Sequence, residues 1–402
     1  MIQLDPYATL VAATLVLLLG RSLVNRIGVL RTFSIPKPVA GGLVVALVLV
    51  LLRASMDVEL RFDTAFQTPL MLAFFASIGL SADLANLKRG GKAVFTFLLV
   101  VTGLLMMQNI LGIGLATLLG LDPLMGLLAG SITLSGGHGT GAAWGAIFSE
   151  KYGLQSATEL AMACATFGLV LGGLIGGPVA RYLVKKVQVP GEEHNRDEAP
   201  QGFEMPEIER PITTYSLIET VTLIAICLKG GELISLYLKG GALELPVFVC
   251  VLFTGVLLRN LLSLLKWHEV SDREVSLLGN VSLSLFLAMA LMSLKLWDLA
   301  SLALPIFVLL AVQTVAMALY AVFVTFRVMG SNYDAAVLAA GHCGFGLGAT
   351  PTAIANMQAV TQRYGPSQIA FLVVPMVGAF FIDIINVIVI KLYLALPFFV
   401  AL

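Results

Sequence analysis

Two glycine-rich stretches carry the residues most suited to hold a small polar ligand, and each contains one histidine. They are SGGHGTGAAW at 135–144 and GHCGFGLGATPTAIAN at 341–356. Glycine lets a backbone N–H group approach a ligand closely, and neighbouring hydroxyls add hydrogen-bond donors and acceptors. Glycine-rich sequence also interrupts helices. At membrane depth an interrupted helix is tolerated only where protein or a water-filled cavity supplies partners for its backbone groups. The two stretches therefore predict a transport site.

The candidate substrate ligands are the glycines, the hydroxyl residues and a few neighbours within these stretches. The glycines have a structural alternative, since small residues let helices pack closely, as we expect for those at 172–177. The two histidines, His138 and His342, have two interpretations. One could be a proton carrier or a substrate contact, but such a residue is more often a hydrogen-bonded spacer. The candidates are Ser135, Gly136, Gly137, His138, Gly139, Thr140, Gly344, Phe345, Gly346, Gly348, Thr350, Thr352 and Asn356.

An acid in the middle of the last apolar stretch is a second candidate. Asp383 has no basic residue near it before Lys391, and an ionised group at membrane depth is functional by default. Asn386 follows one helical turn later, so the two side chains suit a hard cation such as sodium. Asn109, within an earlier apolar stretch, is a third tentative sodium ligand. The alternative for Asp383 is a structural hydrogen bond to backbone or serine.

The composition places these residues in a membrane protein. Of the 402 residues, 58% are hydrophobic and only 12% are charged, unlike a soluble globular domain. The formal net charge of zero gives no sign of a nucleic-acid partner. We expect the four cysteines, Cys164, Cys227, Cys250 and Cys343, to be buried apolar residues, because they lack paired spacing.

Apolar stretches of membrane-spanning character recur along the whole chain. A span needs roughly 17 to 25 mainly apolar residues. Asp5 precedes the first stretch and Arg21 lies at its end, so it is not expected to be a cleaved signal peptide. The stretches lie at 7–24, 38–52, 69–87, 93–119, 157–180, 212–228, 245–262, 276–296, 303–326 and 367–390.

A hydrophilic run divides the chain into two similar halves. We predict an N-terminal repeat at 1–184, a linker at 185–211 and a C-terminal repeat at 212–402. The linker is too short for a nucleotide-binding domain, which argues against an ATP-driven pump within this chain. Asp122, Gly136 and Thr140 precede Asp334, Gly348 and Thr352 by one constant interval, which indicates a diverged repeat.

The distribution of lysine and arginine predicts that the segments 123–149 and 334–358 fold back inside the membrane. If both fold back, most basic residues lie in cytoplasmic loops, whereas full crossing divides them evenly between the two sides. With five spans in each half, the halves then have opposite orientations. The predicted fold is an all-α polytopic membrane protein with two inverted-topology repeats, each of five transmembrane helices and one re-entrant hairpin.

Several motifs resemble those of the bacterial sodium/glutamate symporter family. They are the GGHGTG and GFGLG segments, the run FGLVLGGLIGGPVARYLVKK at 167–186 and the run FLVVPMVGAFFIDIINVIVIKLYL at 371–394. The resemblance extends over essentially the whole chain outside the linker, and no departure from the motifs stands out.

The resemblance implies sodium-coupled uptake of L-glutamate across the bacterial inner membrane, with sodium as coupling ion and no other cofactor. It also implies a non-enzymatic homodimer in which a transport domain moves against a fixed scaffold in an elevator motion. We expect the scaffold to come from the first part of each half. Both termini are expected to be periplasmic and the linker cytoplasmic.

Other functions remain open at this point. A channel with two re-entrant filters also exposes backbone carbonyls. An intramembrane hydrolase needs a nucleophile with a positioned base or paired acids, and Asp383 has no equally buried acidic companion in the sequence. The closest alternative is a sodium- or proton-coupled carrier of another organic anion, such as a dicarboxylate or citrate.

Overall fold

The computed structural model describes residues 2–32, 35–56, 60–84, 91–187, 212–239, 245–293, 302–396 and 399. Nearly all secondary structure in these residues is helical. The first half contains α1 (Pro6–Arg26), α2 (Gly28–Thr32), α3 (Lys37–Met56), α4 (Gln67–Ser81), α5 (Gly91–Leu118), α6 (Pro123–Leu127), a π-helical turn (Leu128–Ile132), α7 (Gly137–Tyr152) and α8 (Ala157–Val184).

The second half has a similar order of elements. It contains α9 (Thr214–Leu238), α10 (Val247–Leu265), α11 (Asp272–Met292), α12 (Ala303–Tyr320), a π-helical turn (Ala321–Thr325), α13 (Phe326–Val328), α14 (Tyr333–Leu347), α15 (Thr350–Tyr364), α16 (Gln368–Met376), a π-helical turn (Val377–Phe381) and α17 (Ile382–Leu394).

The helical membrane fold predicted from the sequence is confirmed. Seven helices among the described residues are long and apolar enough to cross a membrane, and the described residues of each predicted apolar stretch are mostly helical. One detail differs from the all-α prediction, because Ile2–Gln3 and Leu60–Arg61 form a short parallel strand pair. All four cysteines are free and buried, as predicted.

The chain divides into two compact units, and each unit takes helices from both predicted halves. Unit 1 is Met1–Ala85 with Pro211–Ala300, and unit 2 is Asn86–Arg210 with Ser301–Leu402. The predicted repeat boundaries concern order along the chain and stay a prediction. Residues 188–211 of the predicted linker lie outside the described residues.

Unit 1 has an apolar core to which α4, α9, α10 and α11 contribute. Beside it, buried Arg259 donates hydrogen bonds to the Val270 carbonyl at 2.7 Å and to Asp272 at 2.9 Å. A buried guanidinium needs such partners, so these bonds fix the connection between α10 and α11. The core residues are Ala76, Leu80, Leu223, Ile224, Cys227, Val251, Val270 and Val275.

Side-chain caps set the starts of the two broken segments in unit 2. Asp122 accepts the N–H of Leu124 at 2.8 Å just before α6, and Asn332 accepts the N–H of Ala335 at 2.9 Å just before α14. Each cap satisfies a backbone donor that a helix start leaves unpaired.

The helices of both segments are interrupted at glycine. Gly130 has φ −101° and ψ −137°, outside the helical region, and Gly137 has φ +67°, which side chains other than glycine rarely adopt. In the second segment Gly348 has φ −143° and ψ −100°, outside the helical region, and Ala349 is extended, with φ −155°. The two predicted breaks are therefore present, at residues 128–137 and 348–349.

Candidate functional site

The two broken segments meet at their breaks within unit 2. A Cβ atom at Gly137 would lie 3.6 Å from the carbonyl oxygen of Gly348. Serine, glutamine and glycine groups near this contact are buried. The two glycine-rich stretches are therefore adjacent, and their shared role in one site stays a prediction.

Gln108, on α5, connects the two breaks. Its Nε2 donates to the Gly346 carbonyl at 2.7 Å, and its Oε1 accepts the Ser135 hydroxyl at 2.7 Å. The Ser135 hydroxyl also lies 3.1 Å from the Gly346 oxygen. On the other side, Gln313 of α12 donates to the Gln108 carbonyl at 2.7 Å. We call Gln108, Ser135 and Gly346 the glutamine joint.

Helices α7 and α15 both begin at this meeting point. Their N-cap residues, Gly136 and Ala349, make no side-chain cap. A helix start carries a partial positive charge and N–H groups without intrahelical partners, which together favour an anion. Two such ends create a positive region without a lysine or arginine. Arg363, in the last turn of α15, lies roughly 20 Å along the helix from this start.

The second segment is an antiparallel helical hairpin. Asn356 of α15 donates to the Ala340 carbonyl of α14 at 3.2 Å, and a Cβ at Gly341 would lie 2.9 Å from the Met357 sulfur. At the open end of the hairpin, the Tyr333 hydroxyl donates to the Gly365 carbonyl. The chain therefore turns back at residues 348–349.

Helix α8 contacts different segments along its two halves. In its N-terminal half Thr166 bonds His138 of α7 at 3.0 Å. In its C-terminal half a Cβ at Gly172 would lie 3.0 Å from the Gly344 carbonyl, and one at Gly176 would lie 3.1 Å from the Ala340 carbonyl. Packing, the role expected of the 172–177 glycines, thus fits two of them.

Helix α5 also contacts both broken segments, but in the opposite order along its length. Near its C-terminal end a Cβ at Gly126 would lie 2.7 Å from Ile113. Near its N-terminal end Phe97 packs against the rings of His342 and Phe345, with centroid distances of 5.2 and 5.9 Å. The two broken segments therefore contact opposite ends of α5, and both reach Gln108 between those ends.

Some of the predicted substrate ligands lie where the two breaks meet, and others lie in the helices next to that point. Ser135, Gly136, Gly137, Gly346 and Gly348 lie at the meeting point, while His138, Gly139 and Thr140 form the first turn of α7. Gly344 and Phe345 belong to the last turns of α14.

The polar residues of α15 differ in what they contact. The Thr350 hydroxyl donates to the Gly378 carbonyl at 2.7 Å, and the Asn356 amide donates to the Gly172 carbonyl at 2.9 Å. The Thr352 hydroxyl is buried and has no partner within the described residues. Of these three, Thr352 is the side chain with free capacity for a ligand.

Both histidines pair with threonine hydroxyls, as the spacer interpretation predicts. His138 Nε2 lies 3.0 Å from the Thr166 hydroxyl, and His342 Nδ1 lies 2.9 Å from the Thr325 hydroxyl. These bonds do not exclude a substrate contact, so the role of His138 stays a prediction.

Two of the three tentative sodium ligands share one buried network. Asn109 Oδ1 accepts the Ser131 N–H at 2.9 Å, and the Asn386 amide donates to the Ser131 carbonyl at 2.9 Å. Asp383 is half-buried, and its carboxylate has no hydrogen bond or ion pair within the described chain. No cluster of three or more histidine, cysteine or acidic side chains suited to a metal occurs there either.

Three residues that organise this region are not among the predicted ligands. From the sequence alone, Gln108 is a polar residue in an apolar stretch that is expected either to line the cavity or to form an interhelical hydrogen bond, and Gln313 is its counterpart in the second half. Ser131 carried no signal, because a serine in an apolar helix usually bonds its own backbone.

Comparison with known proteins identifies close relatives over the full length. The profile of the sodium/glutamate symporter family matches residues 2–366. A sodium/glutamate symporter of Escherichia coli (strain K12) is 67% identical over 399 residues, covering 99% of this chain and 100% of the relative. One of Haemophilus influenzae is 54% identical over 392 residues, covering 97% of each.

A sodium proton antiporter structure from Methanocaldococcus jannaschii aligns with 97% of this chain and 98% of its own, at 17% identity and a TM-score of 0.42. That likeness is too weak to support a conclusion. The family profile and the full-length relatives confirm the resemblance carried by the glycine-rich motifs, and the chain belongs to the sodium/glutamate symporter family.

Proposed function

We propose that this chain is a sodium-coupled secondary active transporter of L-glutamate, with its binding site where the two broken segments meet. The observation that carries the proposal is that α7 and α15, which have no side-chain caps, both begin at that point. Family membership gives the substrate and the coupling ion. The helix starts give a physical reason why an anion is held there.

The contacts of α5 and α8 support entry of the segments from opposite sides of the membrane. The segment 123–152 lies along the C-terminal part of α5 and the N-terminal part of α8, where Gly145 approaches Thr158. The segment 333–364 lies along the other two parts. We propose that each segment returns to the side from which it enters, so that the halves 1–184 and 212–402 are inverted repeats.

Glutamate binding follows from this arrangement. Its two carboxylates would face the starts of α7 and α15, whose backbone donors are fixed before the substrate arrives. Thr352 and the first-turn residues of α7 would complete its hydrogen bonds. Asn109, Asn386 and Asp383 remain the tentative sodium ligands at this stage.

The helices that make up each unit support a proposal for the transport motion. Unit 2 contains both broken segments, and unit 1 consists of the first part of each half, as expected for a scaffold. We propose an elevator motion of unit 2 in a homodimer of the bacterial inner membrane. Both termini would be periplasmic and the linker cytoplasmic.

Uptake by the purified protein in liposomes tests the function. With an inward sodium gradient, labelled glutamate should accumulate above its external concentration, and potassium in place of sodium should abolish accumulation. Accumulation driven by a proton gradient alone would contradict sodium coupling. Equilibration without accumulation would indicate a channel, and preferential uptake of citrate or a dicarboxylate would contradict the substrate.

Replacing Thr352 with valine is expected to raise the apparent KM for glutamate about tenfold, because it removes a hydroxyl with bonding capacity for the substrate and keeps the side-chain shape. Uptake kinetics at saturating sodium measure this. Thr361→Val is the matched control in α15, since the Thr361 hydroxyl donates to the Met357 carbonyl at 3.0 Å. An unchanged KM in Thr352→Val would remove this hydroxyl from the site.

A further inference from the structure

Ser131, in the π-helical turn before the first break, has one polar group left without a partner. The residue is fully buried. Its N–H donates to Asn109 Oδ1 at 2.9 Å, and its carbonyl accepts the Asn386 amide at 2.9 Å and the Gly136 N–H at 3.0 Å. The backbone of Ser131 is therefore held in place, while its hydroxyl has no partner in the described structure.

Asn386 offers a second unpaired oxygen on a residue that contacts Ser131. Its Nδ2 bond to the Ser131 carbonyl fixes the orientation of the amide, because a flip would set two oxygens against each other. Its Oδ1 is then left without a partner among the described residues, and the residue is fully buried. Two residues joined by a hydrogen bond, Ser131 and Asn386, therefore each have one buried oxygen without a partner among the described residues.

Buried oxygens without partners are unfavourable. Such a site therefore favours an occupant that the oxygens can coordinate, or one that donates a hydrogen bond to them. Oxygen atoms are the ligands that hard cations prefer. Asn109 Nδ2 is also unpaired, but an amide nitrogen does not bind a cation. The role of Asn109 that fits its bond is to position Ser131.

We propose that Ser131 Oγ and Asn386 Oδ1 are ligands of the coupling sodium ion and that Asn109 positions Ser131. The inference rests on the sodium coupling proposed above. It adds Ser131 to the three candidate ligands and gives Asn109 a positioning role.

The same geometry gives a route from sodium to glutamate. Ser131 bonds through its carbonyl to Gly136, which is the N-cap of α7. A cation held by the Ser131 hydroxyl therefore orders the turn 131–136, and with it the helix start that faces the substrate. Sodium binding would then increase glutamate affinity, and glutamate would increase sodium affinity by the same factor.

Thermal unfolding of the full-length protein in detergent tests the proposal without glutamate or transport. Sodium chloride is varied against choline chloride at constant ionic strength, and the half-saturating sodium concentration is read from the rise in Tm. We expect this concentration to rise about tenfold in Ser131→Ala and in Ser131→Cys, which keeps the side-chain size but offers a soft sulfur.

One variant serves as the comparison. Thr133→Val removes another fully buried hydroxyl, which donates to the Leu128 carbonyl at 2.6 Å, and should keep the wild-type sodium dependence.

Two results would overturn the proposal. The first is a Ser131→Cys value within about twofold of the wild type, which would indicate bound water only. The second is a wild type whose Tm does not respond to sodium. Sodium-driven uptake by the wild type is measured separately, so failure of the proposed function is distinguished from failure of this site.

Discussion

Gly168→Ala is expected to lose most of its sodium-driven glutamate uptake, while Gly177→Ala retains wild-type uptake. A Cβ at Gly168 would overlap the Leu347 carbonyl and lie 2.8 Å from a Leu134 methyl, whereas one at Gly177 meets nothing within 4 Å. Leu134 and Leu347 lie next to the two breaks, so the added methyl displaces both segments. Such overpacking costs about 1–3 kcal/mol, and displacement of the binding groups adds the loss of function.

The pair is informative because both changes replace glycine by alanine in α8. Alanine has the higher helix propensity, so any loss in Gly168→Ala comes from its contacts. Initial uptake rates per amount of membrane-inserted protein measure the effect, and size-exclusion profiles in detergent show whether the variant is folded. Equal uptake by a folded Gly168→Ala and by Gly177→Ala would contradict the close contact between α8 and α14.

Gln108→Leu is expected to reduce uptake as severely, with a rise in the apparent KM for glutamate. The substitution keeps a similar volume but removes both polar groups of the Gln108 side chain. The Ser135 hydroxyl and the Gly346 carbonyl then lose their partners at 2.7 Å and keep only their mutual contact at 3.1 Å; loss of a buried hydrogen-bond partner costs about 1–3 kcal/mol. The two breaks lose the side chain that bonds them both.

A control on the same helix separates this effect from a general change in α5. Thr102→Val removes a hydroxyl that donates to the Leu98 carbonyl at 2.8 Å, and we expect normal uptake. Gln108→Glu should also transport poorly, because a carboxylate oxygen replaces the donor to Gly346. Wild-type KM in both Gln108 variants would contradict the positioning role of the joint.

The positions of the helices were predictable because they depend on local composition. Long apolar runs need a spanning helix in lipid, and glycine with threonine or proline marks where a helix stops, as at Gly348. Asp122 and Asn332 act as N-caps, a role that short polar residues before proline or an apolar run indicate. The existence of two broken segments could therefore be inferred from the sequence.

The partners of the individual polar side chains were not predictable, because they depend on residues distant in sequence. Asn356 is predicted as a substrate ligand, and the sequence did not show that its amide nitrogen bonds the carbonyls of Gly172 and Ala340. Nor did the sequence show that Ser131 and Asn386 each have a buried oxygen without a partner among the described residues. A sequence identifies a polar residue in an apolar helix, but only packing decides whether a neighbour already satisfies it.

Labelling of single cysteines with a membrane-impermeant maleimide tests most directly whether the two segments enter from opposite sides. The native cysteines are buried and are first replaced. Leu119→Cys and Lys151→Cys flank the first segment, Ser331→Cys and Gln362→Cys flank the second, and all four positions are exposed. In spheroplasts the first pair should react and the second pair only after permeabilisation. Opposite accessibility of the two positions flanking one segment would show that it crosses the membrane, and would contradict the account.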